Sequence, residues 1–179
     1  MQTVVEVFKK ITAVAKAEKK EVYVVGGYVR DILLGKSDQK DIDCVVVGSG
    51  LLFAKAFDKA MKESGSLVGF PDFDTARYII ELTPPLSSSL LCEGERGETL
   101  ASTEERAGRG LVVFEFAGAR AESYDAKSRK PKVEVAALDQ DLARRDFTVN
   151  AMALPVEILT KKISAVSLKK NLIDKFGGG

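Results

Sequence analysis

The sequences VYVVGGYVRDILLG (residues 22–35) and DIDCVVV (residues 41–47) decide the fold class of this chain. Each contains a short run of β-branched residues, which favours a strand. The first run, Glu21 to Val25, ends at a Gly-Gly pair, and Tyr28 to Leu34 then has the pattern of a short helix. A strand, a helix and a second strand in this order predict a mixed α/β (α+β) fold, and these patterns alone leave the sheet topology open.

The remaining periodicities extend this pattern over the whole chain. They predict helices at about residues 1–18, 51–62 and 138–145, strands at 76–82 and 111–117, and one or two strands within 163–176. Residues 83–110 are rich in Pro, Ser, Gly and Glu without a sustained period, so we interpret them as a flexible surface insertion. A length of 179 residues suits one domain with its own core, and we expect a single domain over residues 1–179.

The composition excludes several classes of protein. No apolar run approaches the roughly 20 residues that span a bilayer, so no membrane association is expected. The apolar residues at the N-terminus are spaced as in an amphipathic helix. They do not form the continuous apolar block of a signal peptide. The two cysteines, Cys44 and Cys92, are too few for a disulfide framework, which favours a reducing, cytoplasmic location. The sequence carries no signal for an oligomeric state.

The absence of histidine restricts the chemistry further. It excludes Ser-His-Asp triads, histidine-ligated metals and imidazole general bases. Carboxylates, arginines, lysines, hydroxyls and backbone amides remain. Because the net charge is only +1, binding to nucleic acid would need a local basic patch.

Two carboxylates lie side by side on the predicted strand DIDCVVV. Asp41 and Asp43 are two residues apart and therefore point to the same face, whereas Ile42 points toward the core. Neighbouring carboxylates repel each other, and a divalent cation relieves this repulsion; Mg²⁺ prefers a few carboxylates together with phosphate and water oxygens. A solvated strand start, where Asp is common, is the alternative.

Glu115 is a candidate third carboxylate. It lies in LVVFEFAGAR (residues 111–120), on the strand face opposite Phe114 and Phe116. A charge within so apolar a strand needs a reason, since burying it unpaired is costly. An edge strand with Glu115 facing water is the alternative.

The glycine pair is a candidate phosphate-binding turn. Gly26 and Gly27 follow an apolar strand and precede a helix, so the backbone can approach a ligand closely and present free N–H groups. Arg30 lies one turn into that helix and could reach the same anion. An ordinary turn is the alternative, with Asp31 pairing with a nearby arginine.

Together these motifs resemble a known family. VVGGYVRDILLG, KDIDCVVV and RRDFTVNAMA (residues 144–153) are similar to the class II tRNA nucleotidyltransferase and bacterial poly(A) polymerase family, within the DNA polymerase β nucleotidyltransferase superfamily. FAGARAESYDAKSRKPKVE (residues 116–134) and the closing NLIDKFGGG also look like this family. The resemblance implies a polymerase β-like nucleotidyltransferase head fold, with a mixed sheet flanked by helices. It also implies transfer of nucleotides from CTP and ATP to a tRNA 3′ end, most specifically CCA addition.

The resemblance also implies roles for individual residues. Asp41 and Asp43 would bind the metal, two Mg²⁺ ions in this family, with Glu115 as the third catalytic acid. The residues that would bind the nucleotide are Gly26, Gly27, Arg30, Arg144, Arg145, Asp146 and Asn150. Two adjacent arginines suit a phosphate clamp, and Asp and Asn can hold ribose hydroxyls.

The chain also departs from the family. Asp74 stands where the family has Gly before Thr-Ala, Ala121 where Lys is common, and Lys175 where Pro is favoured. No helical neck or tRNA-binding domain follows residue 179, so the sequence is expected to be a fragment. Two alternatives stay open: a poly(A) polymerase with the same head chemistry, and a nucleotide- or RNA-binding module without turnover.

Overall fold

The computed structural model describes residues 3–36, 40–82, 110–123, 132–135, 137–161 and 164–177. The helices in these ranges are α1 (Val4–Ala17), α2 (Gly27–Leu33), α3 (Gly50–Ala60), α4 (Leu138–Ala143) and α5 (Ala165–Asn171). The strands are β1 (Val22–Val25), β2 (Asp41–Val46), β3 (Ser66–Phe70), β4 (Thr75–Leu82), β5 (Gly110–Gly118), β6 (Arg120–Ser123), β7 (Lys132–Val135), β8 (Met152–Pro155) and β9 (Ile173–Asp174). Short 3₁₀ turns occupy Pro71–Phe73, Thr148–Asn150 and Val156–Thr160.

A seven-stranded mixed sheet organises the described part of the chain, in the order β3-β4-β5-β2-β1-β8-β9. β2 and β5 are parallel, and the other described pairs in this sheet are antiparallel. β6 and β7 form a separate hairpin. β2 and β5 lie at the centre of the sheet, so their residues have neighbours on both sides.

One face of the sheet carries the main core. The apolar positions of α1 and α3 recur at helical spacing and pack on the inward residues of the central strands. Aromatic rings dominate this layer: Phe57 lies 5.0 Å from Tyr78 and 5.3 Å from Phe116, between ring centroids. Ile42, fully buried, points into the same core, as its position between the two aspartates predicts.

The opposite face is only partly covered. A smaller apolar cluster joins this face of β1 and β2 to α4; its buried members are Val25, Val45, Ala119, Leu138, Leu142 and Ala153. Since Asp43 and Val45 are two apart on β2, the carboxylates share this face. α4 thus covers one part of the face, and the site described below lies beside it.

The predicted elements are mostly confirmed. The prediction of one or two strands within 163–176 is wrong in its main part, because Ser164 caps a helix over Ala165–Asn171 and only Ile173–Asp174 is a strand. The sequence patterns do not predict the strands β3, β6, β7 and β8. Of the predicted insertion at 83–110, Gly110 begins β5 and the rest lies outside the described residues. No helix among the described residues is long and apolar enough to span a membrane.

Candidate active site

A row of side chains crosses the open face of the sheet. Strand register pairs Asp43 with Glu115 on β5, and Glu115 in turn with Arg77 on β4. Arg77 is paired with Val68 on the edge strand β3, and Asp43 with Val25 on β1. Directly paired residues project to the same face of a sheet, so these side chains are neighbours. Asp41, one step along the face from Asp43, completes a cluster of carboxylates.

The electrostatics of Asp43 reflect this crowding. Burial of its carboxyl is the largest cause of a raised pKa, followed by the negative charge of Glu115. Asp41 raises the pKa further, and the positive charges of Arg145 and Arg77 oppose the rise. Asp43 keeps solvent-accessible surface, so burial here means crowding by protein atoms rather than exclusion of water.

Glu115 is held by an arginine that the sequence analysis did not identify. Arg77 Nε donates to Glu115 Oε2 over 2.7 Å. Both side chains keep substantial exposure, 55% for Arg77 and 33% for Glu115. The expectation that Glu115 faces away from the aromatic core is confirmed, and its strand is central rather than at an edge.

The glycine pair lies beside the carboxylates. Gly26 has φ 72°, a conformation that favours glycine, and a Cβ on it would lie 3.5 Å from Asp43 Oδ2 and 3.6 Å from Arg145 Nη1. A Cβ on Gly27 would lie 3.5 Å from Arg30 Nη2. The turn therefore brings backbone, carboxylate and guanidinium groups together.

A buried aspartate holds the two adjacent arginines. Asp141, only 1% exposed, accepts from Arg144 Nη2 at 2.7 Å through Oδ1 and from Arg145 Nη2 at 3.0 Å through Oδ2. One carboxylate thus fixes both guanidinium groups. Sequence reasoning missed Asp141, although its spacing of three and four residues from the arginines on a helix is the signal that could have found it.

Four of the seven predicted nucleotide-binding residues line one cavity of about 470 Å³; its lining includes Arg144, Arg145, Asp146 and Asn150, together with Phe147. Arg30 joins this group, since its Nη1 donates to Asn150 Oδ1 over 3.2 Å. Arg30 Nε also donates to Asp31 over 2.8 Å, which confirms the expected pairing of Asp31 with a nearby arginine. The structure thus brings the predicted site residues together around the open face.

The unusual Asp74 has a structural explanation. Its backbone is left-handed, with φ 45°, which suits the glycine that the family has there and which Asp tolerates better than most residues. Its carboxylate accepts from the backbone N–H of Gly50 at 3.1 Å and of Leu51 at 3.3 Å, and from the Ser49 hydroxyl. Asp74 therefore caps the first turn of α3 and ties the β3–β4 turn to that helix.

The carboxylates fit a divalent cation with few protein ligands. Among the described residues, no group of three or more Asp, Glu, Cys or His side chains is arranged to hold a metal ion. The pair Asp41 and Asp43 remains; burial and the charge of Glu115 are the main causes of the raised pKa of Asp43, and the charge of Asp41 adds to them. Mg²⁺ is commonly bound by one or two carboxylates plus phosphate and water oxygens, so this donor set suits it.

Comparison with known proteins identifies similar chains. The chain is 37% identical over 156 residues to the A-adding tRNA nucleotidyltransferase of Aquifex aeolicus, covering 87% of this chain and 14% of that protein. It is 34% identical to tRNA nucleotidyltransferase cca2 of Schizosaccharomyces pombe, covering 82% of this chain and 27% of that one. The chain therefore spans only a minor part of the length of these relatives.

Solved structures give the same result. A tRNA nucleotidyltransferase complexed with a primer tRNA and an incoming ATP analog matches with a TM-score of 0.56 and 32% identity, over 94% of this chain and 35% of that one. A CCA-adding enzyme with ATP matches with a TM-score of 0.59 and 28% identity, over 98% and 30%.

The family described as the poly A polymerase head domain matches residues 22–84 and 74–179. These matches cover nearly the whole chain and include every predicted site residue. The chain belongs to the poly(A) polymerase head-domain family, the class II tRNA nucleotidyltransferase group that its motifs resemble.

Proposed function

We propose that this chain is the catalytic head of an enzyme that transfers nucleotides from CTP and ATP to a tRNA 3′ end. The observation that carries the proposal is the carboxylate row, which lies beside both the glycine turn and the two arginines fixed by Asp141. Relatives named tRNA nucleotidyltransferases support the choice of substrate.

Metal binding is assigned to Asp41 and Asp43. Nucleotidyltransferases of this family generally use divalent metal ions. We propose Mg²⁺, and two ions, because two cations can neutralise both the attacking and the leaving oxygens of a phosphoryl transfer. Asp43 sits next to Glu115 and within the field of Arg145, so it lies where acidic and basic sides of the site meet.

Nucleotide binding is assigned to the arginine-lined cavity. Arg144 and Arg145 offer guanidinium groups that are already oriented by Asp141, which lowers the ordering cost of gripping a triphosphate. Arg30 and Asn150, joined by a hydrogen bond, would bind phosphate and ribose. Asp146 would accept from a ribose hydroxyl, while Gly26 and Gly27 let the backbone approach the phosphates.

The reaction is an in-line displacement. The RNA 3′-hydroxyl oxygen forms a bond to the α-phosphorus, and the bond from that phosphorus to the pyrophosphate oxygen breaks. Glu115, held by Arg77, would accept the hydroxyl proton. The arginines would stabilise the negative charge that accumulates on the departing pyrophosphate.

The reaction could add the whole CCA sequence or only its terminal A. CCA addition uses CTP and then ATP, whereas several relatives are named A-adding tRNA nucleotidyltransferases, which favours addition of the terminal A alone as a second candidate. Poly(A) addition would use the same head chemistry on a different RNA, and a nucleotide- or RNA-binding module would use the same cavity without turnover. A cytoplasmic location stays a prediction from the cysteine content.

The test is incorporation of labelled CTP or ATP into tRNA transcripts that end before the CCA, or after its second C. We expect Mg²⁺-dependent extension, reduced at least about a hundredfold in Asp43→Asn, since such a change removes a metal ligand. Asp139→Asn, an exposed acid on α4, is the matched control. Full incorporation by Asp41→Asn together with Asp43→Asn would contradict the metal assignment, and Mg²⁺-ATP binding without extension would favour the binding module.

A further inference from the structure

A second arginine-bearing cavity adjoins the carboxylates on the side away from the arginine pair. It has a volume of about 270 Å³, and its described lining consists of Phe70, Phe73, Thr75, Arg77, Glu115 and Arg120. We call this cavity the aromatic shelf. Glu115 belongs to both the shelf and the carboxylate row, so the two are continuous.

The shelf has the chemistry of a single-stranded RNA site. Phe73 is 61% exposed and Phe70 37% exposed, so both rings present part of their surface to solvent. The Arg77 guanidinium carbon lies 5.8 Å from the centroid of the Phe70 ring. Aromatic faces that stack on bases, next to arginines that attract phosphate, are the combination used to bind single strands.

Arg77, one of the two cations of the shelf, is held only weakly by the rest of the protein. Arg77 pairs with Glu115 across an exposed surface, where such a pair contributes little stability and can be exchanged. Arg120 Nε is buried, yet it has no hydrogen-bond partner within the ranges that the structure describes. The Arg77 guanidinium is therefore suited to an incoming phosphate, and Arg120 lines the same cavity as a second positive charge.

The position of the shelf matches the direction of the reaction. In an in-line displacement, the attacking and leaving oxygens lie on opposite sides of the phosphorus. The sheet order puts β1, with the glycine turn and the nearby Arg145, on one side of β2, and β5, β4 and β3 on the other. With the nucleotide on the β1 side, an acceptor hydroxyl that enters from the β4 side, where the shelf lies, satisfies this in-line arrangement.

We infer that the aromatic shelf binds the 3′-terminal nucleotide of the acceptor RNA, with its base stacked on Phe73 and Phe70 and its phosphate bound by Arg77 and Arg120. This inference rests on the proposed function, which assigns the nucleotide to the β1 side. Asp74 is a positioning residue for the shelf. The turn that it ends contains Phe73, and its carboxylate attaches this turn to the first residues of α3 through hydrogen bonds.

The experiment measures binding of a short, 5′-labelled single-stranded RNA to the full chain by fluorescence anisotropy. Phe73→Ala is expected to weaken binding about 5- to 150-fold, the loss associated with one stacked base. The ring is mostly exposed, so its truncation leaves the core intact. Phe176→Ala removes a ring that is 48% exposed outside the shelf, and it is expected to bind RNA like the unchanged chain.

A second arm removes the base instead of the ring. RNA with an abasic 3′-terminal nucleotide should bind the unchanged chain more weakly, but should lose no further affinity for Phe73→Ala, because both changes remove the same contact. The inference would be overturned if the abasic RNA lost the same affinity for Phe73→Ala as for the unchanged chain. It would also be overturned if Phe73→Ala bound the ordinary RNA as tightly as the unchanged chain does. Arg77→Gln should reduce the salt dependence of RNA binding by about one phosphate contact.

Failure of the proposed function gives a different result. A chain that binds RNA through Phe73 but neither binds Mg²⁺-ATP nor extends RNA would contradict the proposed function and leave the shelf assigned. Nucleotide incorporation whose dependence on RNA concentration is unchanged by Phe73→Ala would contradict the shelf alone.

Discussion

The carboxylates are flanked by two arginine-bearing regions that are held in opposite ways. On one side, Arg144 and Arg145 share Asp141, a carboxylate that is almost fully buried. On the other side, Arg77 pairs with the accessible Glu115. The first arrangement fixes cations before a ligand arrives, whereas the second leaves them exchangeable. This difference suits a fixed clamp for a small triphosphate and an adaptable site for a chain that must move after each addition.

The strongest test of the fixed side is Asp141→Asn. It leaves two partly buried guanidinium groups without their shared negative charge, so the free energy of unfolding should fall by about 3 kcal/mol. Urea denaturation measures this change. Asp139→Asn, on the same helix but exposed, should change the free energy of unfolding by less than about 0.5 kcal/mol. A small effect of Asp141→Asn would break the contrast between the two regions.

Asp74→Ala tests the attachment of the β3–β4 turn. The substitution removes the hydrogen bonds to the first turn of α3 and leaves alanine in a left-handed conformation. We expect a loss of about 1–2 kcal/mol in the free energy of unfolding. Asp74→Gly, which relieves the backbone but not the missing cap, should lose less. Equal losses in the two variants would show that the left-handed conformation adds no cost.

Asp43→Asn should stabilise the fold while it reduces activity. The folded-state pKa of Asp43 is raised, so its ionised form is disfavoured in the folded chain. The cost is absent below the unfolded pKa, near 3.9, and develops as pH rises through the folded pKa. At neutral pH we expect a gain of less than about 1 kcal/mol, since the side chain keeps solvent contact. Thermal unfolding of the variant and of the unchanged chain at pH 7 and at low pH measures this gain in stability. If the variant remained more stable at low pH, where Asp43 is protonated, ionisation of Asp43 would not be its cause.

The smallest expected effect is that of Arg77→Gln on stability. The pair with Glu115 is exposed, so its loss should leave the free energy of unfolding almost unchanged. Comparison of the unfolding free energies of Arg77→Gln and Asp141→Asn would then separate an exchangeable arginine from the structurally fixed pair. A loss comparable to that of Asp141→Asn would remove the contrast.

The sequence predicted the site well where local spacing carries the information. The alternation around Ile42 and around Glu115 placed the carboxylates on the correct face, because the side-chain period of a strand is two. The family motifs then identified the residues that line the cavity beside Arg145.

Prediction was poorer where tertiary pairing decides. β3 is an edge strand with mostly exposed residues, so it lacks an apolar pattern. The partnership of Arg77 with Glu115 depends on register between strands that are distant in sequence. The C-terminal helix was misjudged because its run AVSLKKN has little apolar periodicity, while the Ser164 cap that starts it is a local signal that could have been used.

The antiparallel pairing of β4 and β5 extends to Leu82 opposite Gly110, at the ends of the two strands. Leu82 and Gly110 are therefore neighbours in the sheet, although they are far apart in the sequence. The sheet already holds the two ends of any intervening segment close together. The entropic cost of closing such a segment grows only with the logarithm of its length. Evolution or an engineer can thus lengthen, shorten or replace the segment between these residues while Asp43, Glu115 and Arg77 keep their mutual register.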